Sequence, residues 1–449
     1  MKIHSAISFV ILWQMTSLVL SRPDANKPLI LTDLIEQGKI EEARNLAEVR
    51  FKTSQAPKLL SYSGYFNVDK TYDSNIFFWF FPSEYSLNDP VIMWLQGGPG
   101  WSSLNGLFME NGPFISSSNG SIELRDTYWS KNHSVLYVDQ PVGTGFSYTS
   151  QGGYVQNQTI LGVYLYNVLI QFFQLFPQLQ SNTFFIAGES YAGKYIPSIG
   201  NVISKRNINA KIKINLQGLM IGNGYVDPEN QIIYSDYLYQ LGLVDLNEKQ
   251  LIKKYEDEII NYIKNNNFLA AGNALDSLVT GYTQKPLILN ITGLTSVYNF
   301  LLLHEVNQTW TKFVTNKEIR KLIHVGNVKF GEMKQTVEKN LWLDIAKSEA
   351  TILSRLLDHY RVLLYSGQDD IIIAYPTTVN FLKRLNFTAS QEYKHAKRRI
   401  WRVENEIAGY RKTAGNLTEV LVRNAGHMVP ADQPRWSYNL IYNFIRKAD

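Results

Sequence analysis

Several runs of apolar and β-branched residues, each ending in a Gly-rich or polar turn, punctuate this chain: Asn75 to Phe81, Pro90 to Leu95, Ser134 to Val138, Thr183 to Ala187, Leu216 to Ile221, Arg361 to Tyr365 and Thr418 to Val422. Residues that stay apolar at consecutive positions suit strands covered on both faces, as in a parallel sheet. A helical pattern over Val163 to Phe176 precedes the fourth run, and another over Tyr195 to Ser204 follows it. Strands alternating with helices point to an α/β sheet. The interval 228–345 breaks this rhythm, with Leu251, Ile252, Tyr255, Ile259 and Ile263 at helical spacing and helix-like stretches at Phe268 to Val279 and Lys317 to His324. It reads as a helical insertion where a lid over an active site would sit, or as a structural subdomain with no gating role.

The chain has 449 residues, of which 45% are hydrophobic and 18% charged. That composition is globular, and a chain of this length buries roughly three quarters of its unfolded surface. There is no cysteine, which excludes disulfides, Cys-ligated zinc, iron–sulfur clusters and a thiol nucleophile. Lys and Arg number 44 against 39 Asp and Glu, a net charge of +5. Spread over a large surface, this is too dilute to imply a nucleic-acid partner. The one local basic run, Lys394 to Arg399, reads as a solvated loop or, alternatively, a processing site.

Residues 1–21 read as a secretory leader, with Lys2 as the positive end, Ala6 to Leu20 as the apolar stretch, and Val19 and Ser21 before the cleavage point. The apolar stretch falls short of the roughly 20 residues that span a bilayer. A polar segment follows over 22–56. Seven Asn-x-Ser/Thr sites, at Asn119, Asn132, Asn157, Asn290, Asn307, Asn386 and Asn416, fit the secretory pathway. Leader and sites together favour a secreted or lysosomal glycoprotein. An oxidising route without cysteine is unusual.

The stretch NTFFIAGESYAGKYIP places Ser190 between small residues at a strand-to-helix junction. A sharp turn there lifts a hydroxyl above the sheet, and Gly188 and Ala192 let the backbone bend, although Ala192 departs from strict G-x-S-x-G. The same residues lie one short of a phosphate-binding loop of the G-x-x-x-x-G-K-[ST] kind. Tyr195 stands where that loop needs Ser or Thr for Mg²⁺. A plain structural turn is the third reading.

A serine hydroxyl needs a base and an orienting carboxylate, which in α/β-hydrolases follow in the order Ser, Asp, His. Of the seven histidines only His395 and His427 leave room for a strand-end Asp after Ser190 and before themselves, and His395 sits in the basic run. His427 follows the strand-like LTEVLVRNAG at a Gly-containing turn, and RVLLYSGQDD ends an apolar run with Asp369 and Asp370. Upstream, PVIMWLQGGPGWSS is a strand ending in a Gly-rich turn whose backbone N–H groups could face a developing oxyanion, with the Tyr191 N–H as the other donor.

The blocks WLQGGPGWSSL, DQPVGTGFSY, GESYAGKYIP, IGNGYVDP, LLYSGQDD and NAGHMVPADQP, in this order from about residue 57 to 446, resemble the serine carboxypeptidases. Gln96 and Gln368 look most like the vitellogenic carboxypeptidase-like and venom carboxypeptidase branch. The resemblance implies an α/β-hydrolase fold with a mixed, mostly parallel central sheet, helices on both faces and a helical insertion, the core being 57–227 with 346–449 and the insertion 228–345. It implies removal of C-terminal residues from peptides and proteins bearing a free C-terminal carboxylate, with no metal or cofactor. It assigns Ser190 as nucleophile, Asp370 as orienting carboxylate, His427 as base, the N–H groups of Gly98 and Tyr191 as the oxyanion hole, and Gln96, Gly97 and Glu189 as the clamp on the substrate carboxylate.

A Glu beside the nucleophile repels a carboxylate when ionised and donates a hydrogen bond to it when protonated. Mildly acidic pH is therefore expected to favour binding. Departures from the family pattern are the longer Gln96, Trp101 where many members have Cys, and the missing disulfides. Acyl transfer or ester hydrolysis on the same three residues, and a binding or protective role on the retained fold, are the alternative functions.

Overall fold

The computed structural model describes residues 24–52, 55–117, 120–303, 309–331 and 335–447. The expected leader, Asn119 and Asn307 lie outside them. Among the described residues eleven strands form one sheet: β1 (Glu48–Val49), β2 (Ser61–Asp69), β3 (Ser74–Phe81), β4 (Val91–Leu95), β7 (Ser134–Val138), β8 (Phe184–Glu189), β9 (Leu216–Gly222), β10 (Arg361–Gly367), β11 (Arg399–Val403), β12 (Glu406–Ala414) and β13 (Leu417–Val422), while β5 (Phe114–Ser116) and β6 (Ile122–Leu124) pair separately. The spatial order is β1-β2-β3-β7-β4-β8-β9-β10-β13-β12-β11. From β7 to β13 every neighbouring pair is parallel, and the strands beyond on either side pair antiparallel.

Consecutive side chains of the central strands enter opposite cores. In β3, Ile76, Phe78 and Phe80 join one buried cluster while Phe77, Trp79 and Phe81 join the other. Both faces of the sheet are thereby removed from water, and each such large side chain contributes about 1.5–3 kcal/mol through burial. One face is covered by the helices Gln158–Leu175 and Ala192–Arg206, the other in part by Pro434–Arg446.

The expected apolar runs coincide with strands, whereas β2, β11 and β12 carry polar or charged residues and lack that signature. β2 reads SYSGYFNVD, yet Ser63 is fully buried because its hydroxyl donates to the Ile323 carbonyl at 2.9 Å. The segment 22–56 is polar only on average. Leu29, Leu31, Ile35, Ala43 and Ala47 enter the core, and the Leu31 N–H and Leu29 carbonyl bond Tyr65 of β2, each at 2.9 Å.

Between β9 and β10 the chain leaves the sheet for a series of helices. The longest, Leu246–Lys264, starts at a capping box in which Asp245 and Glu248 satisfy each other's backbone N–H. This excursion divides in space. Ile252, Ile259, Leu275 and Leu341 pack into one core cluster, whereas Trp310, Phe313, Ile319 and Ile323 pack into the cluster on the opposite face. No helix among the described residues is long and apolar enough to cross a membrane.

Candidate active site

Because β8, β10 and β13 run parallel, their C-terminal ends lie on one edge of the sheet, the usual location of sites in α/β folds. Ser190 follows the last residue of β8, and the helix Ala192–Arg206 begins two residues later. Its φ of +60° is left-handed, an unfavourable conformation for a residue with a side chain. Three hydrogen bonds hold it there: the Ser190 N–H donates to the Gly222 carbonyl at 3.0 Å, and its carbonyl accepts from the Gly193 and Tyr225 N–H groups, each at 2.9 Å. A Cβ at Gly188 would lie 2.3 Å from the Leu95 carbonyl oxygen, so this approach of β8 to β4 demands glycine.

The phosphate-loop reading of the same motif is incompatible with the structure. Lys194, which would have to reach a phosphate, is fully buried with Nζ 3.2 Å from Asp344 Oδ2, and it also bonds the Asp344 and Ile345 carbonyls at the end of the helix Gln335–Ile345.

Asp370 and His427 meet in the interior of this edge. His427 Nδ1 lies 2.8 Å from Asp370 Oδ2, with the two side chains 4% and 0% exposed. Asn223 also donates to Asp370 Oδ2, at 2.6 Å, and accepts from the Gly367 N–H at 3.2 Å. The Ile372 N–H donates to Asp370 Oδ1 at 3.0 Å. These contacts leave the carboxylate one orientation. His427 Nε2 has no hydrogen-bond partner among the described residues.

A second polar group lies behind Ser190. Gln96 Nε2 donates to Glu189 Oε1 at 2.6 Å and to Glu110 Oε1 at 3.1 Å, while Gln96 Oε1 accepts from Trp94 Nε1 at 3.0 Å. Burial raises the carboxyl of Glu110 to about 7. Burial, then repulsion from Glu110, raises Glu189 well above the usual range. Two carboxyls in mutual contact hold a proton between them until well above the usual carboxylate range. The extra methylene of Gln96 lets one amide reach both.

Gly97 and Gly98 run against the nucleophile turn. A Cβ at Gly97 would lie 2.6 Å from the Tyr191 nitrogen and 2.7 Å from Ser190 Cβ. Gly98 has φ +111°, and its carbonyl accepts from Tyr282 Oη at 2.8 Å, a contact made by the excursion between β9 and β10. The same excursion supplies a strap. Val297 O accepts from the N–H groups of Ile371 and Ile372 at 3.0 and 3.1 Å, Tyr298 O accepts from the His427 N–H at 2.6 Å, and the Phe300 N–H donates to Asp369 O at 3.1 Å. Asn299 Nδ2 and the Gly426 N–H both donate to Asp432 Oδ2, at 3.0 and 2.7 Å.

The structure thus gathers Ser190, Asp370, His427, Gly98, Tyr191, Gln96, Gly97 and Glu189 at one edge of the sheet. Sequence reasoning missed Glu110, Asn223 and the strap. Glu110 had a legible signal, being the lone charge in the otherwise uncharged stretch GLFMENG, and Asn223 sits between glycines at a strand end. The strap has no local pattern. Of the glycosylation candidates, Asn290, Asn386 and Asn416 are exposed, with Asn290 Nδ2 donating to the Lys285 carbonyl at 3.2 Å and Asn416 Nδ2 to the Leu357 carbonyl at 2.9 Å; the half-buried Asn157 accepts from the Ile160 N–H at a helix cap, and Asn132 accepts from the Tyr438 hydroxyl.

A parallel-centred sheet with a serine on a strained strand-to-helix turn, and an Asp–His pair on the loops after later strands, is the α/β-hydrolase architecture. Residues 52–447 match the family model described as serine carboxypeptidase. The chain is 49% identical to a venom serine carboxypeptidase of Apis mellifera over 95% of this chain and 92% of that one. It is 45% identical to a vitellogenic carboxypeptidase of Aedes aegypti (94% and 91% covered) and 43% identical to the probable serine carboxypeptidase CPVL of Homo sapiens (94% and 90% covered). In fold it is similar to the prohormone-processing carboxypeptidase Kex1Δp of Saccharomyces cerevisiae, with a TM-score of 0.77 at 24% identity over 90% of this chain and 96% of that one. The chain belongs to the serine carboxypeptidase family, hydrolases of the exopeptidase type.

Proposed function

We propose that this enzyme removes the C-terminal residue of peptides and proteins through an acyl-enzyme on Ser190. Ser190 Oγ attacks the last peptide carbonyl as His427 Nε2 takes its proton, and the bond to Asp370 holds the imidazole in the required tautomer. The oxygen that becomes negative is received by the Gly98 and Tyr191 N–H groups. Collapse expels the C-terminal amino acid, which takes the proton from His427. Water, deprotonated by His427, then releases the shortened chain.

The observation that carries this reading is the buried Gln96–Glu189–Glu110 group next to the nucleophile. A proton on that pair donates to a carboxylate, so together with the Gly97 N–H it selects chains that end one residue beyond the attacked bond. Esterases and endopeptidases have no use for such a group. Since burial and the neighbouring carboxyl both raise Glu189, binding is favoured at acidic pH and weakens as the pair ionises.

The excursion over 228–345 acts as a lid only in part, through Tyr282 and the Val297–Phe300 strap. The leader at 1–21 and the Asn-x-Ser/Thr sites support passage through the secretory pathway to the cell exterior or the lysosome, with glycans on the exposed Asn290, Asn386 and Asn416.

The test uses N-blocked dipeptides. Release of the free C-terminal amino acid is expected, with kcat lower by about 10⁴-fold or more in Ser190→Ala. Cleavage of C-terminally amidated substrates as readily as free acids, or release of internal fragments, defeats the proposal.

A further inference from the structure

One carboxylate of the excursion between β9 and β10 gathers side chains from two helices and from the residue after the nucleophile. Asp344, 3% exposed, belongs to the helix Gln335–Ile345. Its Oδ2 accepts from Gln158 Nε2 at 2.6 Å and from the Tyr191 hydroxyl at 3.3 Å, and lies 3.2 Å from Lys194 Nζ. Gln158 opens the helix Gln158–Leu175, and its carbonyl accepts from the Ser198 hydroxyl of the helix Ala192–Arg206. Lys194 Nζ also lies 5.2 Å from the centre of the Tyr191 ring. Tyr191 is therefore restrained at its hydroxyl and at its ring by the members of one ion pair.

Stability is a poor explanation for this pair. Lys194 is fully buried in the first turn of its helix, where the backbone dipoles disfavour a cation. Taking two charges out of water costs about what their attraction returns, so apolar residues of similar volume often serve the fold as well. Glu349 and Lys347 also act on Lys194 electrostatically, but neither hydrogen-bonds Tyr191. What the pair supplies is a fixed orientation of the residue that follows Ser190. The same helix reaches the Gly-rich turn after β4 as well. Trp342, two residues before Asp344, packs edge-on against the Tyr282 ring with 6.4 Å between centroids, and Tyr282 Oη donates to the Gly98 carbonyl at 2.8 Å.

We infer that Asp344 is a positioning residue for the oxyanion hole: it fixes Tyr191, and with it the N–H next to Ser190, against the helix that also holds Gly98 through Trp342 and Tyr282. The inference rests on the proposed roles of the Gly98 and Tyr191 N–H groups. Asp344 bonds neither Ser190 nor His427, so it acts through Tyr191 and Lys194. Donors to an oxyanion stabilise the transition state only when they are aimed at it beforehand. Two loops that are far apart in sequence acquire that aim from one helix.

The experiment compares the full-length enzyme with the double variant Lys194→Met/Asp344→Leu, which replaces both charges at once and is expected to keep a Tm close to the native one. Hydrolysis of N-blocked dipeptides is measured beside inhibition by an N-blocked amino aldehyde and by the matching alcohol. With the aldehyde, Ser190 Oγ bonds the carbonyl carbon, the serine proton passes to His427, and the carbonyl oxygen becomes an oxyanion; the alcohol cannot add. The double variant is expected to lower kcat by about 10- to 100-fold with KM little changed. Its Ki for the aldehyde is expected to rise by a similar factor while that for the alcohol stays the same. Tyr191→Phe, which keeps the ring and the N–H but loses the hydroxyl, is expected to show the same split at about three- to tenfold, and it decides the matter if the double variant does not fold. A native enzyme that binds the aldehyde no better than the alcohol removes the oxyanion hole and this inference with it. A native preference for the aldehyde that the folded variants retain in full, or a loss of kcat with the aldehyde Ki unchanged, overturns the role of Asp344 alone.

Discussion

Glu189 and Glu110 illustrate how a single residue acquires its chemistry from its surroundings. Each carboxyl is raised because it is buried, and Glu189 further because Glu110 is next to it. The sign follows directly: while both carboxyls are protonated the pair is neutral and donates to the substrate carboxylate, and as pH rises through about 7 Glu110 ionises first, because Glu189 is raised further, so the pair acquires a negative charge that repels that group. KM is therefore expected to rise as pH is raised through neutrality while kcat changes less. Glu189→Gln, which keeps an N–H donor without the charge, is expected to flatten this dependence. A KM that is flat from acidic to alkaline pH in the native enzyme, and unchanged in Glu189→Gln, removes the pair from substrate binding. Glu189 was legible as a site residue because it adjoins the nucleophile in sequence. Glu110 stood out only as a lone charge, and its pairing was not legible, because 79 positions separate it from its partner and only the path of the chain after β4 brings them together.

At the scale of elements, the Val297–Phe300 strap ties together two loops that reach the site from different strands. Its carbonyls and N–H groups fix the Asp370 loop and the His427 loop relative to each other, and Asn299 adds the side-chain bond to Asp432. Asn299→Ala leaves Asp432 short of a donor in a largely buried place, a cost of about 1–3 kcal/mol. It is expected to lower kcat by roughly tenfold or more with little change in KM. Equal effects on both constants, or on neither, assign Asn299 a role other than positioning. The strands β3, β4, β7, β8, β9, β10 and β13 were readable from apolar runs because both their faces are buried. The edge strand β11 and its neighbour β12 were not, since strands exposed on one side carry charges such as Arg399, Arg402 and Lys412 in place of an apolar run.

The molecule as a whole stands without disulfides, on two cores that share one sheet. Thiol reductant is expected to leave Tm unchanged, and a clear loss on reduction would show that stability depends on another reducible component. Protons are the more effective variable. Burial raises Glu110, Glu338 and Glu349 to about 7 and Asp139 and Asp369 to about 6. A carboxyl raised in the folded state retains a proton that the unfolded chain releases, so its stabilisation is complete below the unfolded value and is lost as pH rises through the folded one. Buried His133 and His324 are lowered to about 4 and act in the opposite sense, but only between there and their ordinary 6.5. From about pH 6.5 to 8 the carboxyls alone act, and Tm is expected to fall across that interval. A thermal scan in which Tm rises over the same interval contradicts this balance.

What the sequence by itself determined were the features written in contiguous residues: buried strands as unbroken apolar runs, the nucleophile turn as a Ser among small residues between strand and helix, and the chain order of Ser190, Asp370 and His427. Only the tertiary structure decided which distant groups meet, because contacts such as Glu110 with Glu189 or Asn299 with Asp432 leave no local periodicity. The same holds for charge. A net of +5 looked dilute along the chain, but pairing of β11 with β12 places Arg399 directly opposite Arg411. Field strength depends on distance in space, which sequence separation does not report.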